Sequence, residues 1–199
     1  LDAFHNALQG AIAPWNLDLA PTQFQQLGDH YVAMIEANQV FNLTRITDPI
    51  EAAVKHYADS LALVAWTNVE KIEVRSVLDI GTGAGFPAVP LSVARPDWRI
   101  TAVDGTKKKT DFLARASATC ELANLVVLHA HSAHWETNVT FDIVAIRALG
   151  SIKECLEAGA RFVAQGSHIV LFKTPDRIEA EETEAAAVAR RLGLRTGPR

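Results

Sequence analysis

The chain has 199 residues, 49% of them hydrophobic and 21% charged, which suits one globular domain with a sizeable core. A formal charge of −4 argues mildly against broad, nonspecific nucleic-acid binding while leaving room for a local basic face. No apolar run reaches the length of a membrane span, and no secretory leader is visible.

Because the chain starts at Leu1, it is expected to lack a few N-terminal residues. Its two cysteines, Cys120 and Cys155, have no metal-ligand spacing and read as buried free thiols in a reducing compartment.

Residues 1–70 read as a helical extension. Pro21-Thr22 opens a helix that carries Phe24, Leu27, Tyr31, Met34 and Ile35 at helical spacing. Asp48-Pro49 opens another, with Val54, Tyr57, Leu61 and Val64 on one face. Between them the connector Asn38 to Ile46 is polar and free of glycine, and reads as a loop capped by Thr44 or Thr47. His56, Asp59 and Ser60 share the next helix face. One helix face gives poor geometry for a Ser-His-Asp relay, and no nucleophile elbow is present. The trio is expected to point at the glycine turn that follows, or to form a satisfied polar cluster there.

That turn organises the rest. Val77 to Ile80 is a short apolar strand, Gly81-Thr82-Gly83-Ala84-Gly85 a glycine turn, and Ala88 to Ala94 a helix. Strand, glycine turn and helix form the first unit of a nucleotide-binding α/β fold. A dinucleotide fingerprint would need a third glycine where Phe86 stands, and Phe86-Pro87 would obstruct a pyrophosphate. Asp79, just before the turn, repels phosphate and can receive an ammonium group. These features describe a zwitterionic ligand without phosphate, S-adenosylmethionine (SAM), and disfavour NAD. Asp104 ends the second strand 19 residues beyond Gly85. It reads as an acceptor for the ribose hydroxyls, or alternatively as the N-cap of the helix from Lys107.

Beyond residue 71 strands and helices alternate. Strands are expected near Val74–Ile80, Arg99–Asp104, Leu125–His129, Phe141–Arg147 and His168–Phe172, and helices near Pro87–Ala94, Lys107–Leu122 and Ile152–Val163. The alternation predicts a parallel Rossmann-like sheet with right-handed crossovers and helices on both faces. Its ligand crevice lies at the carboxyl ends of the strands. The run Ala130 to Trp135 after the third strand should sit over the adenine, where a backbone amide and a serine hydroxyl can read the ring edge. Arg147, ending a buried strand, calls for a function or for a carboxylate partner among Asp79, Asp104 and Asp59. His131 and His134 lack a third ligand, so no metal is expected. Lys107-Lys108-Lys109 with Arg115 is a solvated face or a phosphate contact. Asp176 to Ala187 reads as a solvated acidic helix, and with five strands read, either the C-terminal strands are expected to be missing or the sheet keeps an exposed edge.

Asn42-Leu43-Thr44-Arg45-Ile46, His56 with Asp59-Ser60-Leu61, Leu78-Asp79-Ile80-Gly81-Thr82-Gly83-Ala84-Gly85-Phe86-Pro87, and Arg147-Ala148 together resemble the RsmG (GidB) family. These are bacterial small-subunit ribosomal RNA guanine-N7 methyltransferases, also called glucose-inhibited division protein B. The resemblance spans about residues 20–175. It implies a class I SAM-dependent methyltransferase core over residues 71–199, and a cytoplasmic enzyme acting on 16S rRNA or the small subunit, by default as a monomer. It implies a SAM site at Gly81, Phe86, Ser132, Ala133 and Arg147, to which the residue reading adds Asp79, Gly83, Gly85 and Asp104. Arg147 and Asp59 are the candidate catalytic residues. Asn42, Arg45, His56 and Lys173 are expected to face the RNA or the methionine carboxylate. A SAM-dependent methyltransferase acting on a small molecule or a protein is the alternative.

Overall fold

The computed structural model describes residues 1–197. Residues 198 and 199, the end of the expected core domain, lie outside the described residues. Five parallel strands, β1 (Ser76–Ile80), β2 (Arg99–Asp104), β3 (Leu125–His129), β4 (Phe141–Arg147) and β5 (Val163–Phe172), form one sheet in the order β3-β2-β1-β4-β5. The order reverses between β1 and β4, and this is where a doubly wound sheet opens a crevice at its carboxyl edge. Register sets Ile80 opposite both Val103 and Ile146, so Gly81, Asp104 and Arg147 leave the sheet at one level.

Alternation along the strands sends side chains to two cores. Val77, Ile100, Ala102, Ile143 and Ala145 face the larger one. It is built with α1 (Asp2–Ile12), α2 (Pro21–Asn38), α4 (Asp59–Val69), α5 (Ala88–Ala94) and α6 (Lys107–Thr119). Phe4, Leu8, Leu27, Met34, Tyr57 and Leu61 from the N-terminal helices are fully buried in it. Leu78, Ile80, Val103, Val144 and Ile146 face the smaller core, which is closed by Cys155 of α7 (Ile152–Gly159) and by Phe162. α8 (Pro175–Arg191) packs outside α7 through Val188 and Ala189 against Ile152 and Leu156. Cys120 and Cys155 are both buried and free.

Two local readings change. Val54 is 44% exposed and leaves the face of Tyr57, Leu61 and Val64. The reason is a π-helical turn at Ala53–Ala58, between α3 (Pro49–Ala52) and α4, whose extra residue rotates everything before it by about a third of a turn. The helix opens at Asp48 as expected, its carboxylate accepting from Glu51 N at 2.9 Å, but the main cap of the connector is neither threonine. Thr44 instead folds back on Ile46 N, while Asn38 Oδ1 caps the connector through Leu43 N and Thr44 N at 2.7 and 3.0 Å.

Candidate active site

Three glycines in the left-handed region shape the turn after β1: Gly81 (φ +76°), Gly83 (+58°) and Gly85 (+102°). Gly81 N and Thr82 N both donate to Val103 O at 2.8 and 3.1 Å, which pins the turn to β2. Gly85 N and Phe86 N donate back to Thr82 O. The glycines serve different ends. A Cβ on Gly83 would meet nothing closer than Gly81 O at 3.9 Å, so its face is open to a ligand. A Cβ on Gly85 would lie 2.8 Å from both Leu113 Cδ1 and Val89 Cγ2, so there hydrogen alone fits the packing.

Asp79 is fully buried beneath this turn, with one oxygen accepting from Ala88 N at 3.1 Å. Its other oxygen, and the buried Thr82 hydroxyl of the same turn, have no hydrogen-bond partner among the described residues. The hydroxyl is near enough to favour the carboxylate electrostatically, but burial dominates and pushes the Asp79 pKa up to about 7. The unfolded carboxyl ionises near 3.8, so the folded state holds its proton over the interval between. Stability from this group is therefore full at low pH and is lost as pH rises from about 4 to about 7. Asp79→Asn should remove that loss, so that the stability of the variant relative to wild type grows across this window in urea unfolding. A ligand cation at Asp79 will expel the proton, and calorimetry at pH 7 in buffers of different ionisation enthalpy should show proton release on cofactor binding.

Asp104 is 7% exposed, and its oxygens accept from Gly83 N at 3.0 Å and Thr106 N at 2.8 Å. Thr106, not Asp104, is the N-cap of α6, so the capping alternative falls. Each carboxylate oxygen keeps lone pairs beyond the one used. Lys109 Nζ stands 4.0 Å away, while Lys107 is paired with Asp111 on the outer face of α6.

Arg147, the last residue of β4, is a hub of hydrogen bonds. Its Nε donates to Asp59 Oδ2 at 3.0 Å, and its Nη2 to Lys55 O at 2.6 Å and His56 Nδ1 at 3.1 Å. Its guanidinium also stands 5.6 Å from the centre of the Phe86 ring. His56 stacks on Phe86 at 4.7 Å, and its Nε2 must then carry the proton it shares with Thr44 Oγ1 at 2.8 Å. Burial, and secondarily the Arg147 charge, lowers the His56 pKa to about 4, so the ring is neutral. Asp59 moves the other way, raised by burial against the pull of Arg147. Ser60 turns its hydroxyl to His56 O at 2.6 Å, which disposes of the hydrolase trio.

The turn, the two strand-end carboxylates and the orphaned buried oxygens fit an adenosyl sulfonium with a free amino group and give a pyrophosphate no cationic floor. The profile of the GidB family, rRNA small subunit methyltransferase G, matches residues 23–194. The chain belongs to the GidB family. Similar relatives are ribosomal RNA small subunit methyltransferases G from Solibacter usitatus (39% identical; 83% of this chain, 78% of the relative) and Anaeromyxobacter sp. (36%; 96% and 87%). Among solved structures, ribosomal protein L11 methylase from Lactobacillus delbrueckii subsp. bulgaricus has a TM-score of 0.55 at 11% identity (72% of this chain, 74% of that one). A SAM-dependent methyltransferase from Thiobacillus denitrificans, in complex with S-adenosyl-L-homocysteine, has 0.51 at 19% (79% and 70%). At such identities these structures show the fold, a Rossmann-like class I methyltransferase. The cofactor of this GidB-family chain is S-adenosylmethionine.

The remaining sites separate into two groups. Asn42 and Arg45 are exposed on the connector, with no side-chain hydrogen bond among the described residues, directly beside Thr44 and so beside His56. Lys173, by contrast, does not project outward. Its ammonium is held by Leu149 O at 3.2 Å and Gly150 O at 2.5 Å, where it steadies the loop after β4. Ser132 and Ala133 lie in the β3–β4 loop, with Ser132 O bound by Arg161 Nη2 at 3.0 Å and Ala133 N turned to His131 Nδ1 at 3.3 Å. Arg161 also binds Trp135 O and fixes this loop. Neither it nor His30, which reaches the glycine turn from α2, was signalled by any motif. Among the described residues no cluster of three His, Cys, Asp or Glu side chains could hold a metal ion, and no helix is long and apolar enough to cross a membrane.

Proposed function

We propose that this chain transfers the methyl group of S-adenosylmethionine to N7 of a specific guanine in 16S rRNA, in line and without a general base. The family supports the RNA substrate. The observation that carries the base-free reading is the state of the crevice mouth. Both ring nitrogens of His56 and one oxygen of Asp59 are already committed to Thr44 and Arg147. Guanine N7 presents an in-plane lone pair and has no proton to lose, so no base is required. When bound, the cofactor supplies a methyl group on a sulfonium, a leaving group that needs no protonation.

The chain's own contribution is alignment and electrostatics. The glycine turn and Asp79 hold the cofactor's polar end, and Asp104 accepts from its ribose. Phe86, with His56 stacked on its ring and the Arg147 guanidinium beside them, walls the crevice. Arg147 Nη1, which makes no hydrogen bond among the described residues, is free for the acceptor or the methionine carboxylate. Asp59, partly exposed beside it, offsets the positive charge that the methylated base acquires. Asn42 and Arg45 offer the connector to the RNA strand.

Labelled methyl groups should pass to small ribosomal subunits or free rRNA and not to protein extract, and the labelled nucleotide should be 7-methylguanine by chromatography of the digest. With cofactor saturating, single-turnover rates should vary by less than about twofold between pH 6 and pH 9, and Asp59→Asn should lower them by about three- to tenfold without adding a slope. A tenfold change per pH unit in either enzyme would contradict the mechanism.

A further inference from the structure

We propose that His30 is a positioning residue for the cofactor: from the second helix it holds the Ala84 carbonyl of the glycine turn, making the N-terminal helices a working part of the SAM site. His30 is fully buried in α2, between Leu27 and Met34 on the same helix face. Its Nε2 lies 2.9 Å from Ala84 O and its Nδ1 2.7 Å from Tyr57 Oη. A carbonyl only accepts, so Nε2 must carry the proton, and Nδ1 must then accept from the tyrosine hydroxyl. One tautomer satisfies both bonds, and Tyr57, itself fully buried, selects it.

Phe86 and Phe112 close around the ring at 5.5 and 6.1 Å. Burial keeps the imidazole neutral, with a pKa near 4. The missing Cβ of Gly85 is what admits it, since an added Cβ would stand 3.3 Å from Nε2.

Ala84 lies between Gly83, whose open face receives the ligand, and Gly85, whose N–H closes the turn onto Thr82 O. Fixing the Ala84 carbonyl fixes the peptide plane shared with Gly85 and limits how far Gly83 can swing. A core histidine that merely satisfied itself would contribute stability alone. A positioning histidine sets cofactor affinity, whatever the methyl acceptor.

The test is calorimetric titration of SAM into the full chain, with urea unfolding alongside. His30→Leu, which fills similar space and donates nothing, should weaken SAM binding about tenfold. His30→Gln, whose amide nitrogen reaches to about the place of Nε2, should stay within about threefold of wild type. Tyr57→Phe, which removes only the tautomer-setting hydroxyl, should weaken binding about threefold. In steady-state assays the KM for SAM should rise with these losses while kcat at saturating SAM stays within about twofold of wild type. A folded His30→Leu protein that binds SAM within twofold of wild type overturns the proposal, as does a His30→Gln protein no better than His30→Leu. If His30→Leu does not fold, Tyr57→Phe decides, and unchanged SAM affinity in it overturns the proposal equally.

Discussion

Arg147→Ala is expected to lower methyl transfer by about a hundredfold or more, an effect well beyond its cost in stability. The guanidinium makes three hydrogen bonds, to Asp59, Lys55 O and His56, and stands over Phe86. Asp59 is 46% exposed, so water replaces much of what that pair loses. His56 Nδ1 is in the less exposed bond, and leaving it unpaired sets the stability loss at about 1–3 kcal/mol. The rate is expected to suffer more because the same cation orients His56 against Phe86 and, among the described residues, leaves Nη1 without a hydrogen bond and so available, on the proposed reading, to the incoming groups. Arg147→Lys restores the charge, but a single ammonium cannot span the three acceptors. Stability should largely recover while the rate stays about tenfold down. A double-mutant cycle with Asp59→Asn should give a coupling of about 0.5–1 kcal/mol in urea unfolding, as fits a half-exposed pair. Near-normal rates in a folded Arg147→Ala protein would remove Arg147 from the site.

The network around Arg147 also shows where sequence reading stops. An arginine at the end of an apolar strand announces that it needs a partner, because burial of an unpaired charge is costly. Sequence narrows the partner to Asp79, Asp104 or Asp59, but nothing local picks out Asp59, 88 residues earlier, or says that a backbone carbonyl and a histidine ring share the guanidinium. Lys173 has the same kind of address at the end of β5 and turns out to hold loop carbonyls instead. Short-range signals fared better. The limits of β2, β3 and β4 follow directly from bounded apolar runs, and the glycine turn from backbone demands that only glycine meets. β5 begins at Val163 and not His168, because Gln165 and Gly166 are exposed on it and break the apolar pattern. The π-helical turn that frees Val54 has no local signature at all. His30 is instructive in another way. In sequence it is a polar interruption of the Leu27–Met34 face, and only the tertiary meeting with Ala84 and Tyr57 gives it a purpose.

Gly83→Ala and Gly85→Ala should fail in opposite ways, although only Ala84 separates the two glycines. At Gly83 the backbone has φ +58°, which an alanine can adopt at a cost of about 1 kcal/mol, and the new methyl group meets no protein atom closer than 3.9 Å. Gly83→Ala should therefore fold and unfold nearly as wild type does. Its methyl group, however, projects into the open face proposed to receive the cofactor, and SAM binding should fall by about a hundredfold or more.

At Gly85 φ is +102°, outside what side chains adopt without strain, and the added carbon would lie 2.8 Å from Leu113 and Val89. Strain and overpacking together should cost about 3 kcal/mol or more, enough to unfold much of a marginally stable domain near its working temperature. Urea unfolding and SAM titration on the pair separate the two roles. Stability lost at Gly85 and binding lost at Gly83 is the expected pattern, because one position faces the molecule's own core and the other an open face proposed to hold the cofactor. Equal SAM affinity in Gly83→Ala and wild type would mean that the ligand does not approach the turn on that face. The assignment of the glycine turn as the floor of the cofactor site would then be lost.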